Sequence, residues 1–172
     1  VIPSYNRGER LGATLESILA SDQEGLSFIQ VIVVDDGSRV PVCQVAERYV
    51  PAHPITVTCI RQQNAGPAAA RNAGYGAAVG DVVIFIDDDI IVPVDLIRRH
   101  VHAHYLNPRA AIFGRSILIE PVPSTSLYRM LTLLGDDPGA AASSEFLATD
   151  VVASGHLSVE RTLFVDRKGV YR

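Results

Sequence analysis

Two stretches of the sequence decide the fold: Gln-Val-Ile-Val-Val-Asp-Asp-Gly-Ser at residues 30–38 and Asp-Val-Val-Ile-Phe-Ile-Asp-Asp-Asp at residues 81–89. Each contains a β-branched apolar run without polar alternation, which is typical of a strand buried on both faces of a parallel sheet. Each run then ends in acidic residues. Residues 56–60 form a third candidate strand, and residues 1–2 resemble the end of another.

Helical patterns lie between these strands. Apolar residues at i, i+4, i+7 and i+8 from Leu11 form one stripe, which predicts a helix over residues 10–20. A shorter helix is predicted over residues 42–49 and an alanine-rich one over residues 67–78, where Pro67 suits the first turn. Strand and helix therefore alternate four times, which predicts right-handed βαβ units and an α/β fold.

The second half of the chain carries weaker patterns. We predict a helix over residues 94–105, a strand over 110–119, a turn over 120–125, a helix over 127–134, a mobile loop over 135–144, a strand over 149–153 and a helix over 159–165. Neither an internal repeat nor a linker divides the sequence. We therefore expect a single domain over residues 1–172.

The composition excludes several classes of protein. The 172 residues are 48% apolar and 20% charged, which argues against disorder. A net charge of −4 gives no electrostatic footprint for nucleic acid or for an anionic membrane surface. No apolar run approaches the roughly 18–20 residues of a membrane span. Cys43 and Cys59 have neither CxxC nor metal-ligand spacing, so we expect buried thiols in a reducing compartment.

Three polar clusters follow predicted strands: Ser-Tyr-Asn at residues 4–6, Asp-Asp-Gly-Ser at 35–38 and Asp-Asp-Asp at 87–89. Ligands of open α/β sheets bind beyond the carboxyl ends of the strands. Three adjacent carboxylates raise one another's pKa unless a cation neutralises them, and such hard oxygen ligands suit Mg²⁺ or Mn²⁺. The alternative for each acidic cluster is a turn or a helix cap.

Two further side chains are candidates for nucleotide contacts. Tyr5 could stack on a base, an interaction that contributes about 1–3 kcal/mol in other settings, or it is an ordinary surface tyrosine. Asn64 to Gly66 is turn chemistry that opens a helix, and helix N-termini attract anions. Arg71, one turn further on, could offer its guanidinium to a phosphate, or it is a solvated arginine.

The histidines carry a weaker signal. His100, His102 and His104 alternate, so only His100 and His104 share a helix face. That pair could bind a metal, but a solvated helix face is the simpler interpretation. The sequence also lacks the motifs of serine hydrolases, P-loop NTPases and NAD enzymes.

Four motifs, in this order, resemble those of the family 2 glycosyltransferases of the GT-A fold. They are Val-Ile-Pro-Ser-Tyr-Asn-Arg (1–7), Val-Ile-Val-Val-Asp-Asp-Gly-Ser (31–38), Asn-Ala-Gly-Pro-Ala-Ala-Ala-Arg-Asn-Ala-Gly (64–74) and Gly-Asp-Val-Val-Ile-Phe-Ile-Asp-Asp-Asp (80–89). The resemblance implies a Rossmann-like, mostly parallel sheet flanked by helices. It further implies a nucleotide-binding half over residues 1–97 and the start of an acceptor-binding half over residues 98–172.

The resemblance also assigns site residues. Those toward the nucleotide are Pro3, Ser4, Tyr5, Asn6, Asp35, Asp36, Gly37, Asn64, Gly66, Arg71, Asp87 and Asp88. Among them Tyr5 would stack on the base, Asp36 would hydrogen-bond to it, and Arg71 would face the nucleotide or diphosphate. Asp89 would be the direct ligand of a divalent cation, Mn²⁺ or Mg²⁺, with Asp87 as its outer partner.

The implied reaction is an inverting transfer of a sugar from a nucleotide-diphosphate sugar, with UDP favoured, in glycan or polysaccharide synthesis. The acceptor would be a hydroxyl of a glycan, a lipid or a protein. Inversion requires a base on that hydroxyl. In the family this base belongs to an acidic pair, and residues 153–172 resemble only its lead-in. We therefore expect a truncated catalytic domain whose base lies beyond Arg172, with Asp150, Glu160 and Asp166 as in-chain substitutes.

Two other interpretations stay open. A phosphohydrolase of the haloacid dehalogenase type also places Asp-x-Asp after an apolar strand, but Ile90 to Val92 stand where that family has Gly or a hydroxyl residue. A nucleotide-sugar-binding module without catalysis would explain the missing base. We expect a cytoplasmic protein without a nucleic-acid partner, and association with the inner face of the membrane through segments outside this chain stays open.

Overall fold

A computed structural model describes residues 1–49, 53–114 and 155–164. These residues belong to one compact unit, Val1–Gly114 with Ala153–Arg172. A second unit, Arg115–Val152, lies outside the described residues. The turn, helix, loop and strand predicted between residues 120 and 153 therefore also lie outside them, as do Asp150 and Asp166.

Strands and helices alternate as predicted through the first two thirds of the chain. The elements are β1 Ile2–Ser4, α1 Gly8–Leu19, β2 Ile29–Asp35, α2 Cys43–Ala46, β3 Ile55–Arg61, α3 Pro67–Ala77, β4 Val82–Ile86, α4 Leu96–Leu106, β5 Ala111–Phe113, β6 His156–Glu160 and a 3₁₀ helix at Arg161–Phe164. The main difference in this region is α2, which ends three residues earlier than predicted.

Two three-stranded sheets form the centre of this unit. The first has the order β1-β2-β3 with all strands parallel, and the second has the order β4-β6-β5 with β6 antiparallel to both neighbours. Val1 joins them, because its N–H donates to the Ile84 carbonyl at 2.8 Å and its carbonyl accepts from Ile86 N–H at 3.0 Å. Val1 thus bonds to Ile84 and Ile86, the two residues on either side of Phe85, which is the hydrogen-bond pattern of parallel strands. The ends of β1, β2 and β4 consequently lie at one edge.

Helices cover both faces of the parallel sheet, which confirms the predicted α/β class. On one face the apolar stripe of α1 packs with Val31 and Val33 of β2. On the other face Ala70 of α3 packs with Ile32 and Val34. The run of β2 is therefore buried on both sides, as its uninterrupted apolar sequence predicts.

The helix predicted over residues 159–165 is wrong for its first part. His156–Glu160 is a strand between β4 and β5, and only Arg161–Phe164 is helical, as a single 3₁₀ turn. The physical reason is a period of two: Leu157 and Val159 are buried with Phe85 in a small core, while Ser158 points to the other face. Pairing with two neighbours satisfies the backbone of this short segment better than a one-turn helix would.

The prediction of two buried thiols is also wrong. Cys43 of α2 and Cys59 of β3 form a disulfide across 16 residues, with 5.4 Å between their Cα atoms, and both are half-buried. Their separation in the sequence hides the contact, which depends on α2 packing against β3. Because disulfides are typical of oxidising compartments, these cysteines no longer argue for a reducing one. No helix within the described ranges is long and apolar enough to cross a membrane.

Candidate active site

The three polar clusters meet at the carboxyl edge of the parallel strands. Ser4 of β1 lies beside Asp35 of β2 in the strand register. Its carbonyl accepts from Asp36 N–H at 3.0 Å, and its hydroxyl donates to Asp88 Oδ2 at 2.6 Å. Ser4 is therefore the residue that connects the second cluster to the third, and the convergence expected from the sequence is present.

Asp35 is the last residue of β2, and its fully buried side chain holds the loop that follows. Its Oδ1 accepts from Ser38 N–H at 2.8 Å and its Oδ2 from Val42 N–H at 3.2 Å, while Arg61 Nη1 lies 3.5 Å from Oδ2. Both oxygens are thus used within the protein. This geometry gives Asp35 a role in shaping the loop.

Asp36 holds the turn that opens α3. Its Oδ1 accepts from Gln62 Nε2 at 2.7 Å and from Ala65 N–H at 2.9 Å, and its Oδ2 accepts from Gly66 N–H at 2.8 Å. Asn64 adds a bond from Nδ2 to the Asp36 carbonyl at 3.0 Å. The backbone N–H groups at the start of α3, which the sequence indicates as a candidate anion site, therefore donate to a carboxylate of the protein itself.

Gly37 is required for this close approach. Its φ of 79° lies in the left-handed region, and a Cβ at this position would stand 2.7 Å from the backbone nitrogen of Asn64.

Gln62 is a site residue with no role predicted from the sequence. No pattern around it in the sequence indicates that its side chain reaches back to the end of β2.

Tyr5 projects from the edge. Asn6, with a positive φ of 58°, donates its N–H to Ser38 Oγ at 2.9 Å and accepts from Arg39 N–H at 2.8 Å. These bonds fasten the loop after β1 to the loop after β2. Tyr5 is 47% exposed beside them, and Pro3 lies half-buried within β1.

Arg71 is not a solvated arginine. It is only 6% exposed, and its Nη2 donates to Asp87 Oδ1 at 2.5 Å. Asp87 N–H donates to the Gly155 carbonyl at 3.0 Å, so Gly155, directly before β6, lies against this carboxylate. A Cβ at residue 155 would come within 2.6 Å of Asp87 Oδ2.

Asp88 turns into the protein. Besides the bond from Ser4, its Oδ1 accepts from Arg7 Nη1 at 3.3 Å. Burial raises the pKa of the Asp88 carboxyl above its usual 3.8, and the bonds from Ser4 and Arg7 lower it in part. Both oxygens face protein donors, so the geometry favours a positioning role over the predicted nucleotide contact.

Asp89 faces outward with a side chain that is 36% exposed. Its Oδ2 accepts from Arg7 Nη1 at 3.0 Å and from Arg10 Nη1 at 3.3 Å. Neither arginine has a role predicted from the sequence, although both stand at the start of α1, at or just after the end of the first motif. Three carboxylates therefore meet three guanidinium groups at this edge.

Asp87 and Asp89 offer the hard oxygen ligands that suit the divalent cation implied by the resemblance. Guanidinium groups already neutralise both carboxylates, so a cation would compete with them. Within residues 1–49, 53–114 and 155–164, no three His, Cys, Asp or Glu side chains form a metal-ligating group. A cation here would need ligand oxygens in addition to the two carboxylates.

Glu160 is excluded as a base at this edge. Glu160 lies on β6 and pairs with Val82 at the start of β4, whereas His156 pairs with Ile86 at its end. Glu160 is therefore separated from the end of β4 by four residues. At roughly 3.3 Å per residue that is about 13 Å from the end that carries Asp87. Its Oε1 instead accepts from Arg109 N–H at 3.0 Å.

His100 and His104 of α4 are buried, which overturns the solvated face expected for them, while His102 is exposed. His100 and His104 both contact Ser158 Oγ, at 2.7 Å and 2.8 Å, and His100 Nε2 lies 2.8 Å from His156 Nε2. Burial, assisted by the neighbouring rings, lowers the pKa of His100 to about 4. The cluster fastens α4 to β6, and the contribution of His156 to it has no signal in the sequence.

The fold is the GT-A fold of solved glycosyltransferases. A mannosyltransferase, PcManGT from Pyrobaculum calidifontis in complex with GDP-Man and Mn²⁺, has a TM-score of 0.71 at 22% identity over 98% of this chain and 45% of its own. TarS of Staphylococcus aureus in complex with UDP-GlcNAc has a TM-score of 0.70 at 20% identity over 99% of this chain and 46% of its own.

The chain belongs to glycosyl transferase family 2, whose model matches residues 1–145. An uncharacterized glycosyltransferase, YfnE of Bacillus subtilis, is 36% identical over 114 residues, which are 66% of this chain and 28% of that protein. The chain thus spans less than half the length of these relatives. The family and the fold expected from the four motifs are confirmed.

Proposed function

We propose that this chain supplies the donor site of a metal-dependent, inverting glycosyltransferase, with a UDP-sugar as donor. The observation that carries the proposal is the convergence of an exposed tyrosine, a buried aspartate and a paired arginine–aspartate group at one sheet edge. The acceptor would be a hydroxyl of a glycan, a lipid or a protein. Binding of nucleotide sugars by PcManGT and TarS, which share the fold, supports the donor class.

The base of the nucleotide would lie between the loops after β1 and β2. Tyr5 offers an exposed ring for stacking, and Asn6 with Ser38 keeps the two loops together. A carboxylate has about four acceptor sites, and Asp36 uses three of them within the protein. One site remains for a hydrogen bond from the base. The other residues assigned by resemblance, Pro3, Gly37, Asn64 and Gly66, would act by shaping these loops.

The diphosphate would lie beside β4. Asp89 would bind Mn²⁺ or Mg²⁺ directly with Asp87 as its outer partner, and the cation would supply stabilisation of the negative charge on the leaving nucleoside diphosphate. Arg71 holds Asp87 at 2.5 Å and so fixes the outer partner. Mn²⁺ in the complex of PcManGT supports a divalent cation here.

The base that accepts the acceptor's proton is proposed to be an acidic residue outside the described residues. The carboxylates at this edge are already engaged: Asp35 and Asp36 in their loops, Asp88 with Ser4, and Asp87 and Asp89 with guanidinium groups. A nucleotide-sugar-binding module without catalysis would use the same donor site. The phosphohydrolase interpretation is not favoured, since it explains neither loop.

Calorimetry with UDP, with and without Mn²⁺, tests the proposal. We expect Mn²⁺-dependent binding that Asp89→Ala abolishes. Glu24→Ala is the matched control, because it also removes one exposed carboxylate, 84% exposed and beside Arg98, away from the edge. Binding of GDP in preference to UDP would replace the nucleotide assigned, and absence of binding to either diphosphate would refute the donor site.

A further inference from the structure

The proposed cation ligand already has cationic partners. Asp89 Oδ2 accepts from both Arg7 and Arg10, at 3.0 Å and 3.3 Å. Both arginine side chains are largely exposed, at 52% and 65%, so they can turn away without opening the core. The two arginines therefore neutralise the charge of Asp89 and can move away from it.

The two arginines differ in what else they hold. Arg7 also donates to Asp88, whose carboxylate is buried, so Arg7 keeps a partner when Asp89 turns away. Arg10 has Asp89 as its ion-pair partner, and no second carboxylate of the described part of the chain lies within 4 Å of its charge. Arg7 thus positions Asp88 and also neutralises Asp89, whereas Arg10 neutralises Asp89 alone.

The place of Arg10 in α1 supports this division. The helix starts at Gly8, so Arg10 lies in its first turn. The positive end of the helix dipole disfavours a cation there. The helix dipole does not stabilise a guanidinium at this position, so its electrostatic stabilisation comes from the Asp89 carboxylate.

We propose that Arg10, with Arg7, is the resident counter-ion of Asp89 and that a divalent cation binds by replacing it. The inference rests on the proposed function, which makes Asp89 the cation ligand. Both guanidinium groups lie at Oδ2, so a divalent cation at either oxygen of the Asp89 carboxylate would stand close to two positive charges and repel them. Affinity for the free cation is consequently lower than the carboxylates alone would give.

Mn²⁺ binding without nucleotide, followed by the EPR signal of free Mn²⁺, tests this exchange. Exposed ion pairs contribute roughly 0.2–1 kcal/mol, so Arg10→Gln should bind Mn²⁺ about 1.4- to 5-fold more tightly than the parent chain. Arg98→Gln is the control, since it removes one half-exposed arginine that pairs with Asp22 on another part of the surface. Its Mn²⁺ affinity should equal that of the parent.

A second measurement separates replacement from charge repulsion at a distance. In ¹⁵N NMR of arginine side chains, addition of Mg²⁺ should shift the Arg10 signal, which its absence from Arg10→Gln identifies, and leave the Arg98 signal in place. An unchanged or weaker Mn²⁺ affinity in Arg10→Gln, or an Arg10 signal that ignores Mg²⁺, would overturn the inference. A parent chain that binds Mn²⁺ neither alone nor with UDP would instead overturn the proposed function.

Discussion

Gly155→Ala is expected to damage the site through a single methyl group. The new Cβ would lie 2.6 Å from Asp87 Oδ2, whereas ordinary van der Waals contact begins near 3.4 Å, so a displacement of 3.4 − 2.6 = 0.8 Å is required. Asp87 has little freedom to move, because Arg71 holds its Oδ1 at 2.5 Å and its N–H is bonded to residue 155 itself. The added methyl therefore forces either the carboxylate or β6 out of place.

Two magnitudes follow from this displacement. Overpacking of this kind costs about 1–3 kcal/mol of unfolding free energy, which corresponds to a fall in Tm of roughly 2–12 °C for a domain of this size. Misplacement of a site group by about 1 Å costs on the order of 100-fold in function. We expect Mn²⁺-dependent UDP affinity to fall at least about tenfold, measured by calorimetry beside a thermal melt.

Gly76→Ala is the matched control for this variant. Gly76 lies in α3 without a positive φ, and no atom outside its own helix turn and chain neighbours lies within 4 Å of the place that a methyl group would occupy. Alanine there should be neutral or stabilise by roughly 0.5–1 kcal/mol. If Gly155→Ala melted and bound UDP like Gly76→Ala, the steric reasoning about Asp87 would be refuted.

Three further predictions concern stability. Burial raises the pKa of Asp88, so the stability linked to its protonated form is present below pH 3.8 and is lost as the pH rises through the raised pKa. Urea titrations at a series of pH values should show this fall in the parent chain and not in Asp88→Asn. Burial lowers the pKa of His100 to about 4, so stability should fall by up to about 3 kcal/mol as the pH drops from 6.5 towards 4, and a parent-like slope in His100→Asn would contradict this. Reduction of the Cys43–Cys59 disulfide, which spans 16 residues, should lower the unfolding free energy by roughly 3 kcal/mol. The Cys43→Ser/Cys59→Ser variant is a second test. A denaturation midpoint that does not change on reduction would contradict this stabilising role of the disulfide.

The sequence predicts most of this edge because its strands carry unambiguous signals. The runs before Asp35 and Asp87 are too apolar for any surface element, and each ends where acidic residues begin. Strand ends of a parallel sheet meet, so the convergence follows from the α/β class alone. Arg71 lies one helical turn inside α3, as its spacing from the turn at Asn64 indicates, but its ion pair with Asp87 has no signal in the sequence.

The parts that the sequence does not predict depend on contacts between distant segments. Arg7 reaches Asp88 across 81 positions, and no local pattern distinguishes it from a solvated arginine. His100 and His104 look like a polar helix face until Ser158 of β6 lies against them, across 58 and 54 positions. The strand at 156–160 is hard to distinguish from a helix in the sequence because five residues are too few for either period to dominate.

The way in which Asp36 holds its turn has a consequence for sequence variation. Two of the three bonds to its carboxylate come from backbone N–H groups, at Ala65 and Gly66. The bond from Ala65 does not depend on the side chain at that position, whereas position 66, with a φ of 89°, favours glycine. Gly37 likewise admits no Cβ. In an alignment of relatives we therefore expect an acid and a glycine at positions 36 and 37 and a glycine at position 66 to persist, while position 65, which contributes only its backbone N–H, varies freely.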